Sequence, residues 1–167
     1  MADTPCLEHL EYLLSGVRVW NRWRRQNRDL RPNLRGSNLA GQDLANFNLD
    51  GVYLGAADLS GAHLFEASLQ GANLRRADLS HSCLIRANLQ NAYLGQANLD
   101  RAHLGMANLQ GAYLGQASLR GACLTEACLA AADLNGADIA SADLRHVVGL
   151  GAAQLQLVRH GDQAIFA

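Results

Sequence analysis

Leucine recurs at every fifth residue along most of this chain. From Leu34 to Leu144 all 23 positions of this series are aliphatic, and Ile139 is the one residue among them that is not leucine. Two residues earlier, between residues 57 and 142, alanine occupies 17 of 18 positions and Ser82 the remaining one. The residue before each leucine is usually polar, and glycine is the commonest residue two positions after it. The chain thus repeats a small, a polar and a large apolar residue every five positions.

Neither a straight helix nor a flat strand accommodates this pattern. On an α-helix, steps of five residues rotate the side chain by about 140°, so the leucines would point in all directions. On a strand, an odd step places successive leucines on opposite faces. The pattern therefore predicts a corner in every pentad. Alanine and leucine would point inward from a short extended edge, and the following two residues, often Gly, Asn, Ser or Gln, would form the corner.

A longer repeat of twenty residues predicts how many edges make one turn. The octets AYLGQANL and AYLGQASL begin at Ala92 and Ala112. Tyrosine recurs at the same interval, at Tyr53, Tyr93 and Tyr113. Four edges would then form one coil, and stacked coils would pair as parallel strands with a rise of ~4.8 Å each. The 23 pentads would make about six coils, which is a rod on the order of 28 Å long. Such a repeat needs covered ends.

The pentads themselves resemble a known family. Sequences such as ADLSG (57–61), ANLQG (107–111) and ADLNG (132–136) fit the pattern A(N/D)LxG of pentapeptide-repeat proteins. The resemblance implies an all-β solenoid, a right-handed quadrilateral parallel β-helix with leucine and alanine stacked inside, over residues 33–146. The first pentads depart from the pattern and are interpreted as a coil adapting to a cap; in place of alanine they carry Pro32, Ser37, Gln42, Phe47 and Val52.

Residues 1–32 are predicted to form an N-terminal capping helix. Apolar residues at helical spacing, such as Leu7, Leu10 and Leu14, give residues 5–26 one apolar face, with an interruption at Ser15-Gly16. The stretch RVWNRWRRQNRDLRP (18–32) adds six arginines around two tryptophans. A basic, aromatic patch is typical of nucleic-acid binding, but a capping helix that keeps its arginines in water has the same composition. We favour the cap, because an uncovered coil end exposes backbone edges and leucine rows.

Residues 147–167 are predicted to form a C-terminal cap. The pentad ends after Leu144, and the following residues suggest a short helix and an apolar terminus. The alternative is a homodimer contact through the C-terminal end, because the resemblance implies that some members of the family pair there. We favour the cap.

Composition and charge exclude several classes of protein. The formal net charge is −1, and residues 33–146 hold ten acidic and seven basic residues, so the total charge argues against a nucleic-acid partner. The N-terminus has no basic start before an apolar run, and no stretch approaches the ~20 apolar residues of a membrane span. Four cysteines without metal-finger or redox spacing fit free thiols. These features predict a cytoplasmic protein without a membrane segment.

The outward residues fall into four columns, and one column carries the candidate site. One column holds tyrosines with Arg75 and Arg76, and a second mixes aspartates with arginines. A third, the amide column, holds Asn88, Asn108, Gln70, Gln90 and Gln110. The fourth runs Asp43, His63, Cys83, His103, Cys123 and Asp143. Histidine and cysteine are zinc ligands, but a flat ladder provides neither a tetrahedral cage nor supporting partners, so no metal site is predicted. Apolar residues beside this column favour a contact face instead; its residues are His63, Phe65, Ile85 and His103.

The same geometry argues against an enzyme. A core filled with leucine and alanine leaves no concave pocket for a substrate, so we predict no catalytic residue, no cofactor and no small-molecule substrate. The favoured function is a protein-interaction or scaffolding module with an unknown protein partner. The resemblance implies an alternative, a DNA mimic that inhibits or protects a type II topoisomerase such as gyrase. Mimicry needs a dense acidic face, and the arginines interrupt the acidic column here.

Overall fold

The chain is a four-edged coil. A computed structural model describes residues 4–166; residues 1–3 and 167, at the outer ends of the two predicted caps, lie outside the described residues. From Asn33 to Val148, each pentad pairs through a parallel β-bridge with the pentad twenty residues later, in four columns. Within the described residues this pairing consists of isolated bridges, one per edge, rather than longer strands. The edges are this short because the chain turns again within each pentad.

The hydrogen bonds of one pentad explain its sequence. The amides of Asp58, Leu59 and Gly61 donate to carbonyls of neighbouring coils, while that of Ala57 closes a turn with a carbonyl three residues earlier. The fifth amide, from Ser60, donates to Oδ1 of Asp58 at 2.9 Å. An asparagine or aspartate before the leucine therefore satisfies the one amide that the coil stacking leaves free. This is the physical basis of the polar residue in A(N/D)LxG.

The corner residue two positions after each leucine lies in the left-handed region. Gly61 has φ of 63°, and Glu66 and Arg76 at equivalent corners have φ of 53° and 60°. This conformation is strained for residues with a Cβ and free for glycine, which is why glycine is common there. Where another residue occupies the corner, its side chain points away from the rod and adds to the outer surface.

Leucine and alanine fill the interior, as the pentad predicts. Every position of the leucine series is buried, and so is every position of the alanine series between residues 57 and 142. Ser82 fits an alanine position because its hydroxyl donates to the carbonyl of Leu79 at 2.6 Å. In the first coil Phe47 and Val52 are also buried in place of alanine, whereas Gln42 is exposed.

Two short helices precede the coil. Helix α1 spans Leu7–Leu14 and helix α2 spans Val17–Gln26. They are separated at Ser15 and Gly16, and Gly16 has φ of 95°, which favours glycine. Leu13 of α1 and Trp20 of α2 are buried in the same apolar core as the leucines of the coil. The indole Nε1 of Trp20 also donates to the carbonyl of Asn48 at 2.6 Å, so α2 is joined to the first coil by packing and by a hydrogen bond.

The chain ends in a short helix, α3 (Ala152–Leu155), and a 3₁₀ turn at Gly161–Gln163. Two more bridges, Asp138↔Arg159 and Asp143↔Ile165, pair this tail with the last coil at spacings that exceed twenty residues. The buried carboxylate of Asp138 is 3.0 Å from Arg120 and 2.9 Å from Nδ1 of His160. Burial acts to raise the pKa of Asp138, but hydrogen bonds from His160, the Ala140 amide and Arg120 outweigh it and lower the pKa.

No helix among residues 4–166 has both the length and the apolar character needed to cross a membrane.

Candidate interaction surface

The structure places the four predicted contact residues on one side of the coil. His63 and His103 stand in one column of bridges, separated by Cys83, and both are exposed. Phe65 and Ile85 lie beside this column on adjacent coils, where the amide of Glu66 donates to the carbonyl of Ile85 at 3.1 Å. Phe65 is 38% exposed and Ile85 is partly exposed. We call the surface formed by His63, Phe65, Ile85 and His103 the contact face.

Met106 extends this face, although the polarity pattern of the sequence does not single it out. It follows His103 by three residues, occupies a left-handed corner with φ of 58°, and is 48% exposed. Phe65, Ile85 and Met106 thus give one apolar side chain on each of three successive coils. The signal in the sequence was the position of Met106 two residues after a leucine, because corner residues point outward.

Polar and paired side chains surround these apolar residues. Arg86 lies 3.4 Å from Glu66, and Sγ of Cys123 lies 3.4 Å from the hydroxyl of Thr125. At the far end of the column, Arg145 binds Asp143 at 2.7 Å, and its hydrogen bonds lower the pKa of this aspartate to about 2. The column therefore presents imidazole and thiol groups, and the charges of Glu66 with Arg86 and of Asp143 with Arg145 beside it are paired.

The histidine and cysteine column spreads its potential metal ligands along the rod. Among residues 4–166, no group of three or more His, Cys, Asp or Glu side chains is placed to hold a metal ion. The two histidines are two coils apart, which corresponds to ~9.6 Å at the backbone. Zinc requires ligand atoms within ~2.0–2.3 Å of one point, and a straight ladder does not bring its ligands to such a point.

Leucine and alanine side chains fill the interior of the coil. A gap near the C-terminal end, bordered by Leu144, Leu150 and Leu155, has a volume of about 10 Å³. This is the size of a single water molecule at most. The outer depressions are open and polar, and the one beside Asp100 and Arg101 has a volume of about 280 Å³. The groups that line them are in contact with water.

The aspartate column is interrupted by arginines, as the sequence indicates. Asp58 and Asp78 bridge on adjacent coils, and hydrogen bonds from the Ser60 side chain and amide lower the pKa of Asp58. Further along, Arg120 pairs with Asp138 at 3.0 Å. We call this column with its corner residues the acidic face; its charged residues are Asp58, Asp78, Asp100, Arg101, Arg120 and Asp138.

The tryptophans of the arginine-rich segment pack against the core, and Trp23 is only partly buried. Trp20 is fully buried, and Trp23 stacks on Tyr12 with ring centroids 4.9 Å apart. Arg24 is also buried and donates to the carbonyls of Leu30 and Asp50, each at 2.7 Å. Trp20 is therefore not available to stack on bases, and one face of Trp23 is already occupied by Tyr12, which weakens the nucleic-acid interpretation of this segment.

Comparison with protein families gives a match over most of the coil. The family described as Pentapeptide repeats matches in eight copies over residues 33–64, 57–96, 97–136 and 116–148, which together cover more than half of the chain. Comparison with curated proteins gives no match.

Solved structures show the same similarity. A pentapeptide repeat protein, Rfr23, from the cyanobacterium Cyanothece 51142 is 34% identical over 68% of this chain and 88% of its own, with a TM-score of 0.62. HetL, a pentapeptide repeat protein involved in heterocyst differentiation regulation from Nostoc sp. strain PCC 7120, is 33% identical over 67% of this chain and 58% of its own, with a TM-score of 0.46. QnrB1, a plasmid-mediated fluoroquinolone resistance protein, is 18% identical over 78% and 79% of the two chains, with a TM-score of 0.41.

Proposed function

This chain belongs to the pentapeptide-repeat family, and on that premise we propose that it is a non-enzymatic protein-interaction module. Proteins of this family form right-handed quadrilateral β-helices. We infer about six coils over residues 33–146, closed by residues 1–32 at one end and residues 147–167 at the other. The burial of Leu13 and Trp20 in the common core supports the first cap. The bridges from Asp138 and Asp143 into the tail support the second.

The contact face is the surface that we assign to the protein partner. The observation that carries this proposal is the presence of apolar side chains on three successive coils, with Phe65 and Met106 exposed and Ile85 partly exposed. Contiguous apolar side chains on a polar surface are typical of binding sites for other proteins. The Glu66–Arg86 ion pair beside them would form the polar rim that such interfaces have. His63 and His103 add hydrogen-bonding groups at the same surface.

The rest of the molecule supports binding rather than catalysis. The outer groups stand on open faces in water, where large pKa shifts and desolvation of a substrate are difficult to achieve. We propose that the protein has no cofactor and no small-molecule substrate. Its four cysteines are free thiols, which supports a reducing compartment, and we propose the cytoplasm.

We expect a partner captured at the contact face to depend on Phe65 and Ile85. Cys83, at the centre of the face, can carry a photo-crosslinker once the other three cysteines are replaced. Phe65→Ala and Ile85→Thr introduce residues that occur at the equivalent position of other coils, at Ala45 and Thr125. In an extract of the native host, the double variant should lower the yield of the crosslinked species at least about fivefold, because truncating central apolar residues costs more than ~1 kcal/mol of binding.

The matched control is the double variant Gln90→Ala, Gln110→Ala in the amide column, where Ala130 stands at the equivalent position. It should leave the crosslinked species unchanged. Equal yields from the contact-face variant and the unmodified protein would rule out this face as the binding surface.

The alternative function, a DNA mimic acting on gyrase, predicts inhibition of gyrase supercoiling, whereas the favoured function predicts none. The four aspartates and two arginines of the acidic face give a net charge of only −2, and Arg120 is paired with Asp138. Attraction to a DNA-binding surface should therefore be weak. We expect no inhibition of gyrase supercoiling at low micromolar protein. Inhibition that is relieved by added salt would favour the mimic.

The alternative role of the tail is a contact in a homodimer. Val148, Leu157, Ile165 and Phe166 are exposed apolar residues at the C-terminal end. A homodimer through this surface would double the 17.9 kDa mass in light scattering. We favour the cap, because the tail already pairs with the last coil.

A further inference from the structure

One side of the coil combines aromatic rings, arginines and glycines. Its outward residues belong to the column of bridges that begins at Asn33 and to the corners that follow it. We call it the tyrosine face; its residues up to position 116 that matter here are Arg35, Tyr53, Asn73, Arg75, Arg76, Tyr93, Gly95, Gln96, Tyr113, Gly115 and Gln116. This stretch has three arginines and no acidic residue, and the first acid on this side is Asp133. The total charge of −1 therefore does not describe this face.

A slot lies between two of the tyrosines. The bridges Tyr53↔Asn73 and Asn73↔Tyr93 place the two tyrosines two coils apart, which corresponds to ~9.6 Å between their backbones. Between them stands the short side chain of Asn73, whose Oδ1 accepts the amide of Arg75 at 3.1 Å. A flat ring inserted above Asn73 would have its centroid ~4.8 Å from each tyrosine, within the range of aromatic stacking.

Both walls of this slot are supported from behind. Arg35 lies over the outer face of Tyr53, 4.2 Å from the ring centroid. Tyr113 stacks on the outer face of Tyr93, with centroids 5.0 Å apart and planes inclined by 4°. The Tyr93–Tyr113 pair also shows that the coil spacing of this protein is suited to parallel stacking of rings. The slot is therefore a gap in a ladder of rings rather than a loose space between mobile side chains.

Positive charge stands beside the slot. Arg75 and Arg76 belong to the same coil as Asn73, are exposed, and form no ion pair with a carboxylate of residues 4–166. Four arginines elsewhere in the described chain do form such pairs, at Arg86, Arg120, Arg145 and Arg159. Unpaired guanidinium groups are the usual partners of phosphate oxygens. These two are placed where a phosphate next to an inserted base would lie.

A groove continues from the slot along the rod. It has a volume of about 270 Å³ and begins at Arg75; Gly95, Gln96, Tyr113, Gly115 and Gln116 line its middle part, and Asp133 and Asn135 of the next coil line its far end. The Nε2 of Gln96 donates to Oε1 of Gln116 at 3.0 Å. Side-chain amides at this position offer donors and acceptors to the edges of further bases, and the glycines leave the flank of each tyrosine open.

We propose that the tyrosine face binds single-stranded nucleic acid, with one unpaired base between Tyr53 and Tyr93 and adjacent phosphates on Arg75 and Arg76. Stacking on aromatic side chains within a positively charged groove is the general mode of binding for single strands. A duplex, a sulfated polysaccharide or an anionic membrane would use the arginines but has no free flat ring for the slot. The proposed strand lies two edges away from the contact face, on the opposite side of the coil, so both could be occupied together.

The repeat itself supplies the variants that test this proposal. Asn73→Tyr fills the slot with the residue that occurs at the equivalent position of other coils, at Tyr53, Tyr93 and Tyr113. The double variant Arg75→Gly, Arg76→Gln reproduces the Gly–Gln corners at 95–96 and 115–116. Two controls make similar changes on other faces. Asn88→Tyr changes a bridge residue of the amide column, and Arg86→Gln changes a corner residue beside the contact face. Thermal unfolding would verify that each variant is folded.

The measurement is fluorescence anisotropy with a labelled oligothymidylate of about twelve nucleotides at about 50 mM salt. A duplex of equal length and heparin serve as comparison probes. The single strand should bind more tightly than the duplex, and each of the two test variants should weaken its binding about tenfold. The two controls should remain within about twofold of the unmodified protein, since each lies away from the proposed site.

Salt dependence separates the two parts of the site. The arginine variant should reduce the slope of log Kd against log salt by about 0.7 for each phosphate that the protein no longer neutralises, whereas Asn73→Tyr should leave the slope unchanged. Tighter binding by Asn73→Tyr, equal binding of duplex and single strand, or no binding of the oligothymidylate would overturn the proposal. If Asn73→Tyr fails to fold, Tyr93→Asn, which copies Asn33 and Asn73, removes one wall of the slot instead.

Discussion

Replacing Leu94 by alanine is expected to lower the free energy of unfolding by about 2–5 kcal/mol, as for other fully buried leucines. Leu94 is completely buried in the middle of the rod, in the row of leucines that stack at twenty-residue intervals, between Leu74 and Leu114. The surrounding backbone is held by hydrogen bonds from coil to coil, including one from the amide of Leu94 to the carbonyl of Tyr113 at 2.7 Å. A coil fixed in this way cannot collapse into the space left by the missing side chain, so we expect a value in the upper part of that range.

The matched control for this prediction is Gln96→Ala. Gln96 lies two residues away at an exposed corner with φ of 60°, and Ala56 occupies an equivalent corner with φ of 54°. Its replacement should change the free energy of unfolding by less than about 0.5 kcal/mol. Denaturant unfolding followed by circular dichroism gives both values. Similar losses for the two variants would show that the assignment of inward and outward positions is wrong.

Removal of residues 1–31 is expected to convert the protein into an aggregating species. The truncation removes Leu13 and Trp20 from the core, together with the hydrogen bond from Trp20 to Asn48. It would leave the first leucines of the rod and the backbone edge of the first coil uncovered. Such an edge can pair with another chain. Light scattering should show large particles in place of the compact species.

A single substitution tests the packing of the N-terminal helices on the first coil without removing the helices. Trp20→Ala should destabilise the protein by about 3–5 kcal/mol, the usual cost of truncating a buried tryptophan. Arg22→Ala, an exposed change in the same helix, should have little effect and serves as its control. A truncated protein that stays monomeric and equally stable would contradict the role of residues 1–32 as a cap.

The leucine period was sufficient to predict the coil because no straight element tolerates it. Every fifth residue could point inward only if the chain turned within each pentad, and the twenty-residue repeat required four edges per turn. The same reasoning placed the partners of each outward column, such as His63 beside Cys83 and Cys83 beside His103. In a ladder with a fixed interval, sequence position alone determines which residues are neighbours.

Features that depend on backbone conformation were less accessible from the sequence. The exposure of Met106 follows from its left-handed corner, which the polarity pattern does not reveal. The slot above Asn73 depends on two walls that are held by Arg35 and Tyr113. The two helices at the N-terminus begin and end at residues where local packing, more than periodicity, decides. Backbone conformation sets the first of these features, and contacts between side chains set the other two.

The spacing of the last two bridges has a consequence for how the protein behaves at high concentration. Within the rod every bridge joins residues twenty apart, but Asp138 pairs with Arg159, twenty-one residues later, and Asp143 with Ile165, twenty-two residues later. An end that kept the regular interval would be a template on which the first coil of another molecule could continue the ladder, and addition without closure leads to fibres. The tail takes up the edge of the last coil in a register that no regular coil can match. We therefore expect the tail to stop the ladder from being continued from one molecule into the next, so that the protein does not grow into fibres.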